Sequence, residues 1–141
     1  MTRASRVRVA ISLAALTSTF AACRSLPGLP ELEPVHISEL VEQGDPARRA
    51  SHRLLVEGLE ADVEGAHARA KGRYERAIQL DPTNPYAYLT FARFEVDRRR
   101  AERVRAFLDQ TLALFDAEGG TPPRVEAHVI GLSGAVDAIH G

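Results

Sequence analysis

Cysteine, lysine and methionine each occur once in this 141-residue chain, and tryptophan does not occur. One cysteine excludes an intramolecular disulfide framework and any multi-cysteine zinc site. A positive excess is also missing. Eighteen basic side chains stand against 19 acidic ones, a formal charge of −1, whereas a protein that coats nucleic acid carries a clear basic surplus. No apolar run reaches the roughly 20 residues that a bilayer-spanning helix needs; the uncharged stretch 9–22 has 14. Apolar and polar residues alternate nowhere long enough to make a strand. Gly119-Gly120 precede Thr121-Pro122-Pro123 rather than Gly-Lys-Ser/Thr, so there is no phosphate-cradling loop.

What is present begins with an address. Arg3, Arg6 and Arg8 lie in the first eight residues with no acid among them. Residues 9–22, VAISLAALTSTFAA, follow without a charge and end in small side chains. A basic start, a short apolar centre and a small-residue exit are the parts of an export signal. The segment closes on Phe20-Ala21-Ala22-Cys23. This resembles the lipobox of bacterial lipoproteins, with Phe20 in place of the usual leucine. The resemblance implies diacylglycerol on the Cys23 thiol, cleavage before Cys23 and acylation of the new amine, with membrane attachment through that lipid. Arg24, rather than an aspartate, after the cysteine implies the outer membrane, with the domain facing the periplasm. Cleavage would remove three arginines and no acid, leaving 15 basic against 19 acidic residues, a balance of −4.

Residues 23–35 then form a lipidated cysteine and a spacer. Pro27, Pro30 and Pro34 with Gly28 oppose helix and favour extended chain. Twelve such residues reach about 37 Å at about 3.1 Å each.

From 36 to 141 the pattern is helical. HISELVEQG predicts a short helix with Ile37, Leu40 and Val41 on one side and Gly44 as its stop. Asp45-Pro46 pairs an N-cap with proline at the first helical position, starting a helix that runs to about 64. Gly65 breaks it. A second helix ends near Asp81-Pro82, and Thr83-Asn84-Pro85 starts a third over YAYLTFARFEVDRR. A fourth spans about 101–117, and Thr121-Pro122-Pro123 starts a last one over 122–140. The fold class is therefore all-α, an antiparallel array with short turns.

The chain resembles itself at an offset of 34 residues. Leu54 aligns with Tyr88, Gly58 with Ala92, Ala70 with Val104, Tyr74 with Leu108, Ile78 with Leu112 and Leu80 with Leu114. Gly58 and Ala92 would let paired helices approach closely, with Tyr74 and Leu108 filling the space between them. This period, and the AxxxYxxAIxLDP string over 70–82, resemble the tetratricopeptide repeat. Residues 51–84 carry one repeat. Residues 85–118 carry a degenerate one, in which Glu95 replaces an aromatic, Thr111 a small residue and Asp116 a proline. Residues 122–140 are the expected capping helix. The implied fold is a short right-handed solenoid of helical hairpins. Two repeats fall below the usual minimum of about three, so flanking segments or a partner must complete the core.

Little points to catalysis. His36, His52, His67, His128 and His140 show no HxxxH or HExxH spacing, so no metal site is expected. Ser133 lacks the GxSxG frame of a nucleophile elbow. No catalytic residue and no cofactor are predicted. Gly131 and Gly134 are expected to give the last helix a stripe for close packing. The arginine-rich run 97–105 reads as a solvated interhelix turn.

In the family resembled, the first helix of each repeat lines a groove for peptide or protein. By repeat position that places His52, Leu55, Val56, Leu59, Tyr86, Leu89, Thr90 and Arg93 on the groove, with Arg93 suited to a carboxylate. The expected function is a membrane-anchored lipoprotein that binds an envelope protein or peptide as an accessory or assembly factor. A self-associating structural envelope protein, or a non-catalytic subunit of an envelope enzyme, are the alternatives. Nucleic acid is not an expected partner.

Overall fold

The computed structural model describes residues 34–140; Cys23, the signal segment and most of the tether lie outside the described residues. Five α-helices follow a 3-10 turn at Ile37–Leu40: α1 (Pro46–Val63), α2 (His67–Leu80), α3 (Pro85–Val96), α4 (Ala101–Ala117) and α5 (Pro123–His140). There is no strand among the described residues. The fold is all-helical and tetratricopeptide-like.

The starts are local chemistry. The Asp45 carboxylate accepts from the amides of Ala47 and Arg48 at 2.8 and 2.9 Å, and Pro46 needs no donor there. Asn84 does the same for α3, accepting from the Tyr86 amide at 3.1 Å ahead of Pro85. Gly44 and Gly65 hold φ of +86° and +75°, which glycine adopts without a steric penalty. α3 stops at Val96, before the 99 expected from sequence. The amides of Arg98 and Arg100 both turn back to the Glu95 carbonyl, and Arg99 takes φ +55°.

α1 and α2 pair as one hairpin and α3 and α4 as a second. α5 packs on α3 and α4 as α3 packs on α1 and α2, so the array holds two hairpins and one further first-type helix. Gly58 lies directly against the buried Tyr74 ring. That ring meets Phe94 edge-on at 5.2 Å and Phe91 at 5.7 Å.

Two polar ties join the hairpins, and a third fastens α3 to α4 within the second. The buried Ser51 hydroxyl donates to the Ala77 carbonyl and accepts from the Asn84 side-chain Nδ2, both at 3.0 Å, linking α1, α2 and the start of α3. The Arg48 guanidinium binds the Asp81 carboxylate through Nε, the Glu118 carboxylate through Nη1 at 3.0 Å and the Thr83 carbonyl through Nη2 at 3.0 Å. Glu95, standing where the repeat usually has an aromatic, is fully buried. Its carboxylate accepts from Arg103 at 3.1 Å and has Arg100 at 3.4 Å. Two arginines of the 97–105 run therefore serve a buried acid. A third, Arg98, stacks 3.4 Å above the Phe94 ring. The turn is solvated as expected, with Asp97, Arg99, Arg100, Glu102, Arg103 and Arg105 exposed, and the Arg100 and Arg103 side chains reach from it to Glu95.

The small stripe on α5 differs from expectation. An added Cβ at Gly131 or Gly134 would meet nothing within 4 Å, so both glycines face away from the described neighbours. Val125, Val129 and Val136 carry the contact instead.

Candidate partner-binding face

The first helices of successive hairpins, α1 and α3, stack side by side, and α5 continues the row. A shallow cavity of about 190 Å³ opens along that row. Leu59 of α1, Leu89, Thr90 and Arg93 of α3 and His128 of α5 line it, and Val35 and Ile37 close one side. Arg93 is exposed and has no carboxylate within ion-pair distance among the described residues. Apolar walls beside an unpaired guanidinium suit an aliphatic segment carrying negative charge.

The eight residues placed on the groove by repeat position divide into three groups. Leu55, His52, Leu89 and Thr90 are buried; Val56, Leu59 and Tyr86 are half-buried; Arg93 is exposed. Leu59, Leu89, Thr90 and Arg93 share the cavity. Leu55 and Val56 belong to the core between the first hairpin and α3. Tyr86 packs edge-on against Phe115 at 5.2 Å and His52 at 6.0 Å, and it opens on a second cleft beside Arg48 and Glu118.

The covering element is the 3-10 turn. Ile37 and Leu40 are buried, and Val35 touches both core clusters. The apolar spacing of Ile37 and Leu40 is visible in sequence, but their destination on the row is not. His128 also joins the face unforeseen. It stands 35 residues beyond Arg93 on a helix with no counterpart in the 34-residue alignment.

His52 fastens this turn. Its Nδ1 lies 2.7 Å from the Leu40 carbonyl, a contact in which the ring N–H donates, while Nε2 is buried without a partner. Burial outweighs the carbonyl contact and holds its pKa below the ordinary histidine value. The unfolded chain therefore takes up a proton at His52 before the folded one does. Stability from this site is complete above about pH 6.5 and falls as pH drops through the lower folded-state value. Asp81 follows the same sign in a lower window. Burial alone would raise its pKa, but donors from Thr83 and Arg48 outweigh that and hold it below the usual carboxylate value. Melting temperature is expected to fall between pH 7.5 and 5.5 less in His52→Asn than in the parent, because Asp81 titrates below this range. Equal falls in thermal melts at the two pH values would refute the assignment to His52.

Among the described residues no cluster of three or more His, Cys, Asp or Glu is arranged to hold a metal ion, and no helix is long and apolar enough to cross a membrane. The repeat seen in this geometry has a family counterpart: residues 64–118, covering α2 to α4, match the tetratricopeptide repeat. No curated protein and no solved structure matched the chain. Tetratricopeptide repeats generally mediate protein–protein interaction and are typically non-catalytic scaffolds.

Proposed function

We propose that the protein is a lipid-anchored adaptor of the bacterial cell envelope whose repeat domain binds a protein or peptide along the row of first helices. The observation that carries the reading is the cavity where Leu59 and Leu89 stand beside the unpaired Arg93 and His128. The remaining support comes from sequence. An export signal ending at Cys23 supports acylation there, and the proline-rich residues after it hold the domain off the lipid surface. Arg24 supports the outer membrane, with the domain in the periplasm. The role is non-catalytic, as an accessory or assembly factor.

Leu89 lies in the core, so replacing it would measure stability rather than binding. Leu59 and Arg93 are the usable probes. Co-purification from solubilised envelopes should recover a defined partner with the parent chain. A folded Leu59→Asp/Arg93→Glu variant should recover about tenfold less, the scale of a lost interface anchor. An unchanged set of proteins would refute the assignment of this face.

A further inference from the structure

We propose that α5 is a contact between two copies of this chain, packed side by side and parallel about a two-fold axis that runs along the helices. The proposal rests on the fold and adds a second surface to the row of first helices.

Three observations carry it. First, α5 is a first-type helix without a second-type partner. α1 has α2 and α3 against it, and α3 has α4 and α5, whereas α5 has no helix on its far side among the described residues. Second, that far side is uncharged at its centre. Ile130 is 66% exposed, Gly131, Gly134 and Ala138 are exposed, and Ala127 is half-buried, all at the spacing of one helix face. The solvent side of α1 carries Arg53 and Glu57 instead, and that of α4 Arg105 and Asp109. Helix interiors disfavour glycine relative to alanine, and the space over Gly131 and Gly134 is filled by nothing in the described chain. Third, the face carries its own complement. Ile130 projects beside the hollows over the two glycines. Arg124 and Glu126, two residues apart, flank the apolar centre on opposite sides. Both are exposed and make no ion pair among the described residues. Glu126 shares its flank with Asp137, which binds Arg105 of α4.

Charge selects both the occupant and its direction. A two-fold axis along two facing helices sets each flank of one against the opposite flank of the other. Arg124 of one copy then meets Glu126 of the second, and the same pair forms again across the axis. Ile130 of each copy packs over the glycines of the other. An antiparallel pair would set like flanks together, with Glu126 and Asp137 facing the same two acids. The contact uses one patch on both copies, so it closes at two chains and does not propagate. One helix from each copy gives an interface at the small end of the specific range. It therefore forms at high local concentration, which attachment of both copies to one surface would supply.

The test uses the full chain with Cys23→Ala in detergent, given one new cysteine at a time. Under mild oxidation, Ala127→Cys and Ala138→Cys should each form a disulfide-linked dimer at least about tenfold faster than Gly72→Cys, an exposed position of α2. Both can do so only in a parallel pair, because the two positions lie roughly 16 Å apart along α5. In sedimentation equilibrium the mass of the chain without added cysteine should rise toward that of a dimer as concentration rises. Ile130→Lys should keep its helical circular dichroism and weaken the dimer at least about tenfold. Arg124→Glu should also weaken it, and Arg124→Glu/Glu126→Arg should restore it. A monomer up to millimolar concentration would overturn the proposal and leave the face to some other partner. So would cross-linking as fast at Gly72 as on α5, cross-linking at only one of positions 127 and 138, or no recovery in the charge-swapped variant.

Discussion

Gly58→Ala should destabilise the domain by about 1–3 kcal/mol, the range for forcing a methyl into a filled interior. Helix propensity alone predicts the opposite, since alanine is favoured over glycine by about 1 kcal/mol inside a helix. Geometry decides the sign. A Cβ at Gly58 would lie 2.8 Å from Cδ1 and 3.0 Å from Cζ of Tyr74, and closer still to Cε1. The Tyr74 ring has nowhere to go, being fully buried with Phe91 and Phe94 against it. Backbone separation of α1 and α2 would have to grow instead, at the crossing that defines the first hairpin. Gly72 supplies the opposite case. It lies in α2, exposed, and an added Cβ would meet nothing within 4 Å. Gly72→Ala is therefore expected to stabilise by roughly 0.5–1 kcal/mol through propensity alone. Urea unfolding of the two variants should move in opposite directions. Gly58→Ala at or above parent stability would refute the close helix crossing.

Cys23→Ala should abolish fatty-acid incorporation and move the protein out of the membrane fraction. One acyl chain gives marginal, reversible binding, whereas two or more give stable anchoring, so the thiol-linked diacylglycerol is the decisive part of the expected anchor. Without the cysteine, the chain has only an apolar stretch of 14 residues against the roughly 20 required to span. Metabolic labelling with a clickable fatty acid, followed by fractionation, reads both effects. Label on Cys23→Ala, or none on the parent, would remove the lipoprotein reading.

The elements that follow from local chemistry were legible in the sequence. Asp45-Pro46 and Asn84-Pro85 start helices through side-chain oxygens that act within three residues. The 34-residue offset pointed to Gly58 and Tyr74 as complementary small and large partners, and they meet in space. Long-range pairing was not legible. Glu95 looked like a substitution that weakened the repeat, yet Arg100 and Arg103 from the following turn and helix neutralise it where no aromatic is present. The periodicity of α3 gave no sign of this, because it registers a buried charged residue as a defect. The groove shows the same limit. Repeat position fixes which helix face His52 and Leu89 occupy, but not what lies over it. The 3-10 turn arrives from before the first repeat and α5 from after the second, and neither takes part in the 34-residue alignment. They bury His52, Leu89 and Thr90 and leave Arg93 exposed.

Site-specific photocrosslinking in intact cells tests the partner-binding row most directly. A photoreactive amino acid at position 93, on the face with Leu59 and Leu89, is compared with one at Arg76, an exposed position of α2 that does not line the cavity. The adaptor account predicts a discrete envelope-protein adduct from position 93 that position 76 does not form. Adducts of the same size and yield from both positions, or none from 93 in the acylated protein, would contradict it.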